Sequence, residues 1–298
     1  MHHSVNSNNI FPDYKPGYNA KLSDPALILC TSGTTGRSKG AVYSHGTILG
    51  FCTGTDGLPK NNARPSLWLL RCTHVLGLLY PIRNIFVGDW SVMMPTVTKS
   101  NIFKAVDTYK PFIVFGFPTF LLSLVEDPEA QNIDRSSIQL IATGGVVIKN
   151  QFYETMMKLP SIKYVINGYG MTECAAITTT VDISGDLNEI KALDGIPALS
   201  VGKLYPHTKL KVMSLDEETK LMGPGEKGEL CVKSPILCSH YWNRPEESRA
   251  TFNSNGWMRT GDLGYYDKDG FVFVTGRIKE TFKYFNNHVI NFSQLCCL

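Results

Sequence analysis

The sequence predicts an α/β fold, in which a parallel-sheet core with helices is joined to a smaller antiparallel, barrel-like β subdomain. Between about residue 21 and residue 199, short apolar runs alternate with stretches of helical character, a pattern that favours a parallel sheet covered by helices. From residue 200 to 275 the pattern changes to closely spaced strands separated by turn residues. Residues 1–20 are polar and predict a loose N-terminal segment.

The individual elements follow from the same patterns. In the core we predict buried strands at 26–30, 112–115, 138–142 and 164–166, and helices at 119–125 and 150–159. In the β-rich part we predict strands at 209–215, 228–232, 264–267 and 271–275, with turns at 223–225 and 269–270. Ligands of parallel sheets bind at the carboxyl ends of the strands. The loops at 31–40, 143–145 and 167–172 each follow a predicted strand, so one cleft is expected to collect all three.

The composition is that of an ordinary globular chain. It has 298 residues, of which 43% are hydrophobic and 18% charged, and the formal net charge is +3 with both signs interspersed. No basic stripe is present, which argues against a nucleic-acid partner. The eight cysteines include no C-x-x-C pair and no zinc-like spacing, so we interpret them as reduced thiols. No apolar run reaches the length that spans a membrane, and the oligomeric state is not readable from the sequence.

The segment Thr31–Gly40 combines glycines, hydroxyls and one cation, Lys39, directly after an apolar run. Backbone N–H groups freed by glycine, together with hydroxyls and a lysine, can hold a polyphosphate. A P-loop is excluded because it requires glycine before the lysine and Ser or Thr after it, whereas Lys39 stands between Ser38 and Gly40. A solvated turn remains an alternative for a loop of this composition.

Three further motifs follow the first in order. They are the stretches Asn167–Glu173 (NGYGMTE), Gly256–Asp262 (GWMRTGD) and Gly276–Lys279 (GRIK). Together with the first loop, they resemble the core motifs of the acyl-adenylate-forming superfamily, which includes acyl-CoA synthetases, 4-coumarate–CoA ligases and luciferases. The resemblance covers about residues 21–289. It implies that a carboxylate attacks the α-phosphate of ATP, giving an acyl-AMP and pyrophosphate, and that the acyl group then passes to coenzyme A.

The resemblance implies roles for individual residues around the nucleotide. Lys39 and the loop residues would wrap the β- and γ-phosphates, Thr172 would bond the α-phosphate, and Glu173 would hold Mg²⁺. Tyr169 would lie along the adenine, Asp262 would accept from both ribose hydroxyls, and Arg277 would reach the ribose or a phosphate. The remaining nucleotide-binding residues are Thr31, Ser32, Gly33, Thr34, Thr35, Gly36, Gly144, Gly145, Asn167, Gly168 and Gly170. Without the resemblance, Glu173 would be a helix-start acid, Tyr169 a core tyrosine and Asp262 a turn former.

His74 matches the family position beside the carboxylate of the acid, although a lone histidine next to apolar residues is often a core or boundary residue. The acyl pocket would lie near Phe115–Pro118 and Gly144–Val147. These segments are apolar and predict a hydrophobic acid, either fatty or arylpropenoic. Lys283 matches the lysine that some members use in the thioester-forming half-reaction.

The chain also departs from the family pattern. Members carry a complete subdomain ahead of the phosphate loop and a mobile C-terminal lid, whereas residues 276–298 resemble only the hinge and the start of that lid. We therefore expect a protein truncated at both ends and impaired in turnover. The alternatives are a non-catalytic nucleotide- or acyl-binding remnant and a luciferase-like paralogue. The resemblance favours a cytoplasmic or peroxisomal location, without a C-terminal Ser-Lys-Leu signal in this chain.

Overall fold

The computed structural model describes residues 19–31, 38–54, 65–146, 148–180, 200–217, 219–284 and 287–290. Its strands, in chain order, are β1 Pro25–Cys30, β2 Gly40–Ser44, β3 Pro65–Trp68, β4 Trp90–Met93, β5 Ile113–Phe115, β6 Leu140–Gly144, β7 Tyr164–Met171, β8 Cys174–Thr179, β9 Lys203–Leu204, β10 Lys209–Met213, β11 Leu221–Met222, β12 Gly228–Lys233, β13 His240–Tyr241, β14 Met258–Tyr266, β15 Val272–Arg277, β16 Thr281–Tyr284 and β17 Asn287–Ile290. The helices are α1 His45–Gly54, α2 Val75–Val87, α3 Lys99–Tyr109, α4 Pro118–Glu126, α5 Asn150–Met156 and α6 Pro245–Thr251, with 3₁₀ turns at Pro128–Asn132 and Ile278–Glu280.

A mixed sheet forms the centre of the fold. Within the described residues it has seven strands in the order β4-β3-β5-β6-β7-β8-β9. The five strands from β4 to β7 run parallel, and β8 and β9 are antiparallel to their neighbours. Parallel strands need crossover connections, which α2, α3, α4 and α5 supply. The predicted parallel core with helices is therefore confirmed.

Helices cover both faces of this sheet. Successive residues of a strand point to opposite faces, so each strand contributes side chains to the packing on both sides. In β6, Ile141 packs with α3, α4 and α5, in a cluster that includes Ile102, Leu121 and Met156. Its neighbours Leu140 and Ala142 face the other side, where Phe51 of α1 and Leu79 of α2 pack. This second face carries the site described below.

The remaining strands form smaller antiparallel sheets. Within the described residues, β11-β10-β12-β14-β15 make a five-stranded sheet, β1-β2-β13 a three-stranded sheet and β16-β17 a hairpin. The five-stranded sheet confirms the β-rich character predicted for the second part of the chain. Strands β9 and β13 come from the same part of the sequence but pair with β8 and β2 instead.

Two sequence-based expectations about the loops were wrong. The strand before the phosphate loop, β1, does not belong to the parallel sheet, because its backbone pairs antiparallel with β2. The segment 167–172 is not a loop after a strand either. Strand β7 continues through it to Met171, because β8 folds back and pairs with Gly168, Tyr169 and Met171.

Two further observations concern the helices and the cysteines of the described residues. No helix there is long and apolar enough to cross a bilayer. The six cysteines in the described segments are free thiols, four of them buried.

The core packing around β6 gives a first prediction. Ile141 is fully buried between strands and helices, so Ile141→Val removes one methylene group from a close-packed interior. We expect the free energy of unfolding to fall by about 1 kcal/mol, measured by urea denaturation. Ile28→Val is the matched control, because Ile28 is 45% exposed on β1. An equal loss in both variants would contradict the assignment of this core.

Candidate active site

A cavity of about 860 Å³ opens where the parallel strands end and the five-stranded sheet approaches them. Many of the residues predicted from the motifs line this one cavity, although they are distant in the sequence. They are Thr31, Lys39, His74, Gly144, Gly145, Gly168, Tyr169, Gly170, Thr172, Glu173 and Arg277. The described ends of the three predicted ligand loops thus meet at one cleft.

The other predicted residues lie elsewhere. Asn167 and Asp262 are buried just behind the wall and do not line the cavity. Lys283 is on strand β16. The loop residues 32–36, from Ser32 to Gly36, lie outside the described residues.

Both ends of the predicted phosphate loop are fixed by hydrogen bonds. The Thr31 amide donates to the Lys39 carbonyl at 2.8 Å, and the Lys39 amide donates to Thr31 Oγ1 at 3.2 Å. The antiparallel pairing of Cys30 with Gly40 continues from this closure into β1 and β2. Lys39 therefore enters the cavity from a rigid strand end. Its Nζ lies 4.1 Å from the centroid of the Tyr241 ring, a distance typical of a cation–π contact.

The turn between β7 and β8 presents Thr172 and Glu173 to the cavity. Its backbone is held by two other segments: the Tyr43 hydroxyl donates to the Thr172 carbonyl at 2.6 Å, and the Cys238 amide donates to the Glu173 carbonyl at 2.8 Å. The Glu173 side chain is buried and accepts a 2.5 Å hydrogen bond from the Tyr241 hydroxyl. Tyr241 thus touches both the cation and the carboxylate of the site.

Glycine is required on both β6 and β7 because neighbouring backbone comes very close. A Cβ atom on Gly170 would lie 2.2 Å from the Ala175 carbonyl oxygen, and one on Gly144 would lie 2.5 Å from the Gly168 carbonyl oxygen. Any side chain at these positions would push β6, β7 and β8 apart. Gly145, with φ of 80°, turns the chain away after β6.

A second polar group joins β7 to the five-stranded sheet. The Tyr169 hydroxyl donates to Asp262 Oδ2 at 2.5 Å, and Arg277 Nε lies 3.3 Å from Asp262 Oδ1. Burial raises the pKa of Tyr169 well above its ordinary value, and the adjacent Asp262 carboxylate raises it further. Tyr169 is therefore a neutral donor, and Arg277, about half exposed, brings positive charge to the cavity mouth.

His74 caps the N-terminus of α2 at the cavity wall. Its Nδ1 accepts a 3.3 Å hydrogen bond from the Leu76 amide, which leaves the proton on Nε2. Its ring meets the edge of Phe117 at 5.9 Å between centroids. Burial lowers the pKa of His74 from its ordinary value of 6.5, so the ring is a neutral Nε2–H donor at neutral pH.

The lowered pKa of His74 predicts a pH effect on stability. As pH falls below about 6.5, the unfolded chain binds the proton before the native chain does. The stability contributed by neutral His74 is therefore complete above pH 6.5 and is lost progressively below it. His74→Asn keeps a capping acceptor without the titration. We expect its melting temperature to fall less between pH 7 and pH 5 than that of the native chain; identical pH profiles would contradict this.

Two tyrosines that hold the turn of Thr172 and Glu173 in place were not found from the sequence. Tyr241 contacts Glu173 across 68 residues, and Tyr43 contacts Thr172 across 129 residues. Neither tyrosine stands in a local pattern that marks it, so no sequence signal could have identified them. Thr143, in contrast, belongs to the predicted ligand loop at 143–145; it lines the cavity, and its buried hydroxyl has no hydrogen-bond partner among the described residues. Such an atom suits a polar ligand.

Taken together, the geometry defines an α/β protein with a polar ligand site at the carboxyl ends of its strands. The cavity brings a lysine, an arginine, a threonine and a buried carboxylate together beside an aromatic pocket, in which the Trp68 ring stacks on Tyr80 and on Phe115. The sequence matches the family described as AMP-binding enzyme over residues 4–242. The chain belongs to this family, which confirms the resemblance inferred from the motifs.

Similar proteins include ligases and luciferases. The long-chain-fatty-acid–CoA ligase of Bacillus subtilis (strain 168) is 32% identical over 86% of this chain and 44% of that protein. The luciferin 4-monooxygenase of Nipponoluciola cruciata is 32% identical over 87% of this chain and 46% of that protein. The solved structure of O-succinylbenzoate coenzyme A synthetase from Bacillus subtilis, in complex with ATP and magnesium ion, superposes with a TM-score of 0.78 at 26% identity, over 91% of this chain and 54% of that one. This chain spans about half the length of the curated relatives it matches.

Proposed function

We propose that this chain carries the acid-activating site of an AMP-forming acid–thiol ligase. In this reaction a carboxylate oxygen attacks the α-phosphorus of ATP, an acyl–O–P bond forms, and the bond to the pyrophosphate leaving group breaks. The acyl group then passes to the thiol of coenzyme A with release of AMP. The observation that carries the proposal is the convergence of Lys39, Thr172, Glu173 and Arg277 on one cavity that continues into an aromatic pocket.

The nucleotide would lie across the strand ends. The loop from Thr31 to Gly36, with Lys39, would bind the β- and γ-phosphates, and Thr172 would donate to the α-phosphate. The adenine would lie beside Tyr169, where small residues leave room for it: Gly144, Gly145, Gly168 and Gly170. Asn167 is buried next to Gly168 and would support this part of the site. Asp262 would accept from the ribose hydroxyls, because a carboxylate has acceptor capacity beyond its bonds to Tyr169 and Arg277.

The chemistry of Glu173 fits a magnesium ion. Mg²⁺ in phosphate-transfer sites is held by one or two carboxylates together with the substrate's own phosphate oxygens. Glu173 supplies such a carboxylate at the cavity wall, oriented by Tyr241. When bound there, Mg²⁺ would offset the negative charge of the phosphate oxygens. Among the described residues no cluster of three or more metal-ligating side chains is present, so the phosphates themselves would complete the coordination.

The acid would enter between α2 and the sheet. The Nε2–H group of neutral His74 would donate to its carboxylate at the mouth of the aromatic pocket, near Phe117 and Gly145. Two anionic reactants, the carboxylate and ATP, must be brought together here. The cations Lys39 and Arg277 would reduce the electrostatic repulsion between them. The relatives named as coenzyme A ligases support transfer to coenzyme A as the second step. Lys283, just after the 3₁₀ turn at residues 278–280, would act in that step.

Pyrophosphate release tests the proposal. The 298-residue chain is incubated with ATP, Mg²⁺ and a panel of fatty and aromatic acids. Acid-dependent release is the expected result. If ATP raises the melting temperature without any release, the chain is a nucleotide-binding protein that does not turn over. Oxygen-dependent light emission, when luciferin is supplied as the acid, would instead indicate the luciferase-like alternative.

A further inference from the structure

Two opposite charges line the same cavity without pairing with each other. Lys39 and Glu173 are both part of its wall, yet among the residues that the structure describes neither side chain takes part in an ion pair. An ammonium and a carboxylate attract each other strongly where water is partly excluded, and both side chains are long enough to adjust. Another part of the protein must therefore keep these two groups apart.

Tyr241 contacts both charged groups. Its ring centroid lies 4.1 Å from Lys39 Nζ, and its hydroxyl donates to Glu173 Oε1 at 2.5 Å. The cation thus meets the face of an aromatic ring, and the carboxylate accepts a hydrogen bond from the same side chain. Burial raises the pKa of Tyr241, and the Glu173 carboxylate raises it further, so the hydroxyl stays protonated. A neutral side chain therefore serves as the partner of both charges.

The position of Tyr241 is fixed by its surroundings. Its strand β13 pairs with β2, which places Tyr241 opposite Ala41, two residues after the lysine. The Tyr241 amide donates to Ser248 Oγ at 2.9 Å, and the ring packs against Phe252 at 5.5 Å between centroids. The residue is only 3% exposed. The close packing leaves the ring little freedom, so the fold itself sets the separation of the two charges.

We propose, on the basis of the function proposed above, that Tyr241 is a positioning residue that keeps the Lys39 ammonium and the Glu173 carboxylate from pairing with each other. The phosphates of ATP then meet a cation that no carboxylate neutralises, and Mg²⁺ meets a carboxylate that no cation neutralises. A direct ion pair between Lys39 and Glu173 would have to break before either ligand could bind, whereas contacts with a neutral tyrosine are readily exchanged for those with phosphate and metal.

The test is a double-mutant cycle on ATP affinity, measured by calorimetry on the full chain in EDTA so that no metal contributes. Tyr241→Phe keeps the ring beside the ammonium but removes the hydroxyl, which frees Glu173 to pair with Lys39. We expect ATP to bind about tenfold more weakly. In the Glu173→Gln background no carboxylate is available for that pair, so Tyr241→Phe should have almost no effect there.

AMP and a second tyrosine provide the controls. AMP lacks the β- and γ-phosphates that Lys39 would face, so Tyr241→Phe should leave AMP affinity nearly unchanged. Tyr43→Phe removes the other tyrosine hydroxyl at this turn, which donates to the Thr172 carbonyl. Thr172 would bond the α-phosphate, which both nucleotides carry, so this variant should bind ATP and AMP more weakly by similar factors. A loss confined to ATP therefore reports the charge of Lys39.

A second variant covers a failure of Tyr241→Phe to fold, which could follow from the buried carboxylate losing its hydrogen-bond donor. Tyr241→Leu is smaller and leaves room for water beside Glu173. It removes the ring as well as the hydroxyl, so Lys39 and Glu173 are again free to pair. A loss of ATP affinity that disappears in the Glu173→Gln background is expected for this variant too.

The outcomes separate this inference from the proposed function. An equal loss of ATP affinity in both backgrounds, a similar loss for ATP and AMP, or no loss at all overturns the inference, even if the native chain releases pyrophosphate. A loss that is confined to ATP and requires Glu173 supports the inference, even if no pyrophosphate is released and the ligase is refuted. A native chain that does not bind ATP overturns both.

Discussion

Replacing Glu173 by glutamine is expected to lower acid-dependent pyrophosphate release about 10²–10³-fold. The amide keeps an oxygen that can accept from the Tyr241 hydroxyl, so the turn between β7 and β8 should keep its position. What is lost is the negative charge that would hold Mg²⁺ against the phosphates. The effect should appear mainly in kcat, because the metal acts most strongly on the charge that develops while the adenylyl group is transferred and pyrophosphate leaves.

Two controls make this prediction specific. Glu226→Gln changes a carboxylate that accepts from the Gly223 amide in a turn away from the cavity, and it should leave the rate unchanged. Raising the Mg²⁺ concentration should partly restore the Glu173→Gln variant but have no effect on the native chain at saturation. Equal rates in the Glu173→Gln variant and the native chain would show that this carboxylate does not hold the metal.

Replacing Lys39 by methionine is expected to lower the same rate about 10²–10³-fold and to weaken the binding of ATP more than that of AMP. The methionine retains much of the apolar contact with the Tyr241 ring, over which Lys39 Nζ lies at 4.1 Å. The missing charge would have faced the β- and γ-phosphates, which AMP does not have. The ratio of the two affinities, measured by calorimetry, therefore reports the role of the cation.

The matched control for Lys39 is Lys211→Met. Lys211 Nζ makes a similar contact, 4.8 Å from the centroid of the Trp257 ring, but it does not line the cavity. Its loss should change neither affinity. A Lys39→Met variant that loses ATP and AMP affinity equally would indicate a general effect on the site instead of a phosphate contact.

Local sequence patterns predicted the elements of the core well. The helix expected at 119–125 is observed at Pro118–Glu126, and the strand expected at 138–142 is observed at Leu140–Gly144. These elements are specified by apolar periodicity within a few residues. The three-stranded sheet was not predictable in this way, since its central strand β2 pairs with the distant β13, and the Ser239 hydroxyl donates to the Val42 carbonyl across 197 residues.

The difference between local patterns and contacts of distant segments also explains which site residues could be predicted. The motifs predicted Lys39, Thr172 and Glu173, because glycines and hydroxyls around a charge form a recognisable local pattern. Tyr241, which touches both Lys39 and Glu173, depends on contacts between distant segments. The stacked rings of Trp68, Tyr80 and Phe115 in the cavity also come from three separate segments of the chain. Burial and unpaired hydrogen-bonding groups are properties of the folded chain and cannot be read locally.

The most direct test of the central claim follows the oxygen of the acid. The chain is supplied with ATP, Mg²⁺ and an acid labelled with heavy oxygen in its carboxylate, and hydroxylamine is added to cleave the acyl group at its carbonyl carbon. If the carboxylate attacks the α-phosphorus, one labelled oxygen must remain on AMP, and mass spectrometry will detect it there. AMP without label, or ADP as the only nucleotide product, would contradict acid activation at this site.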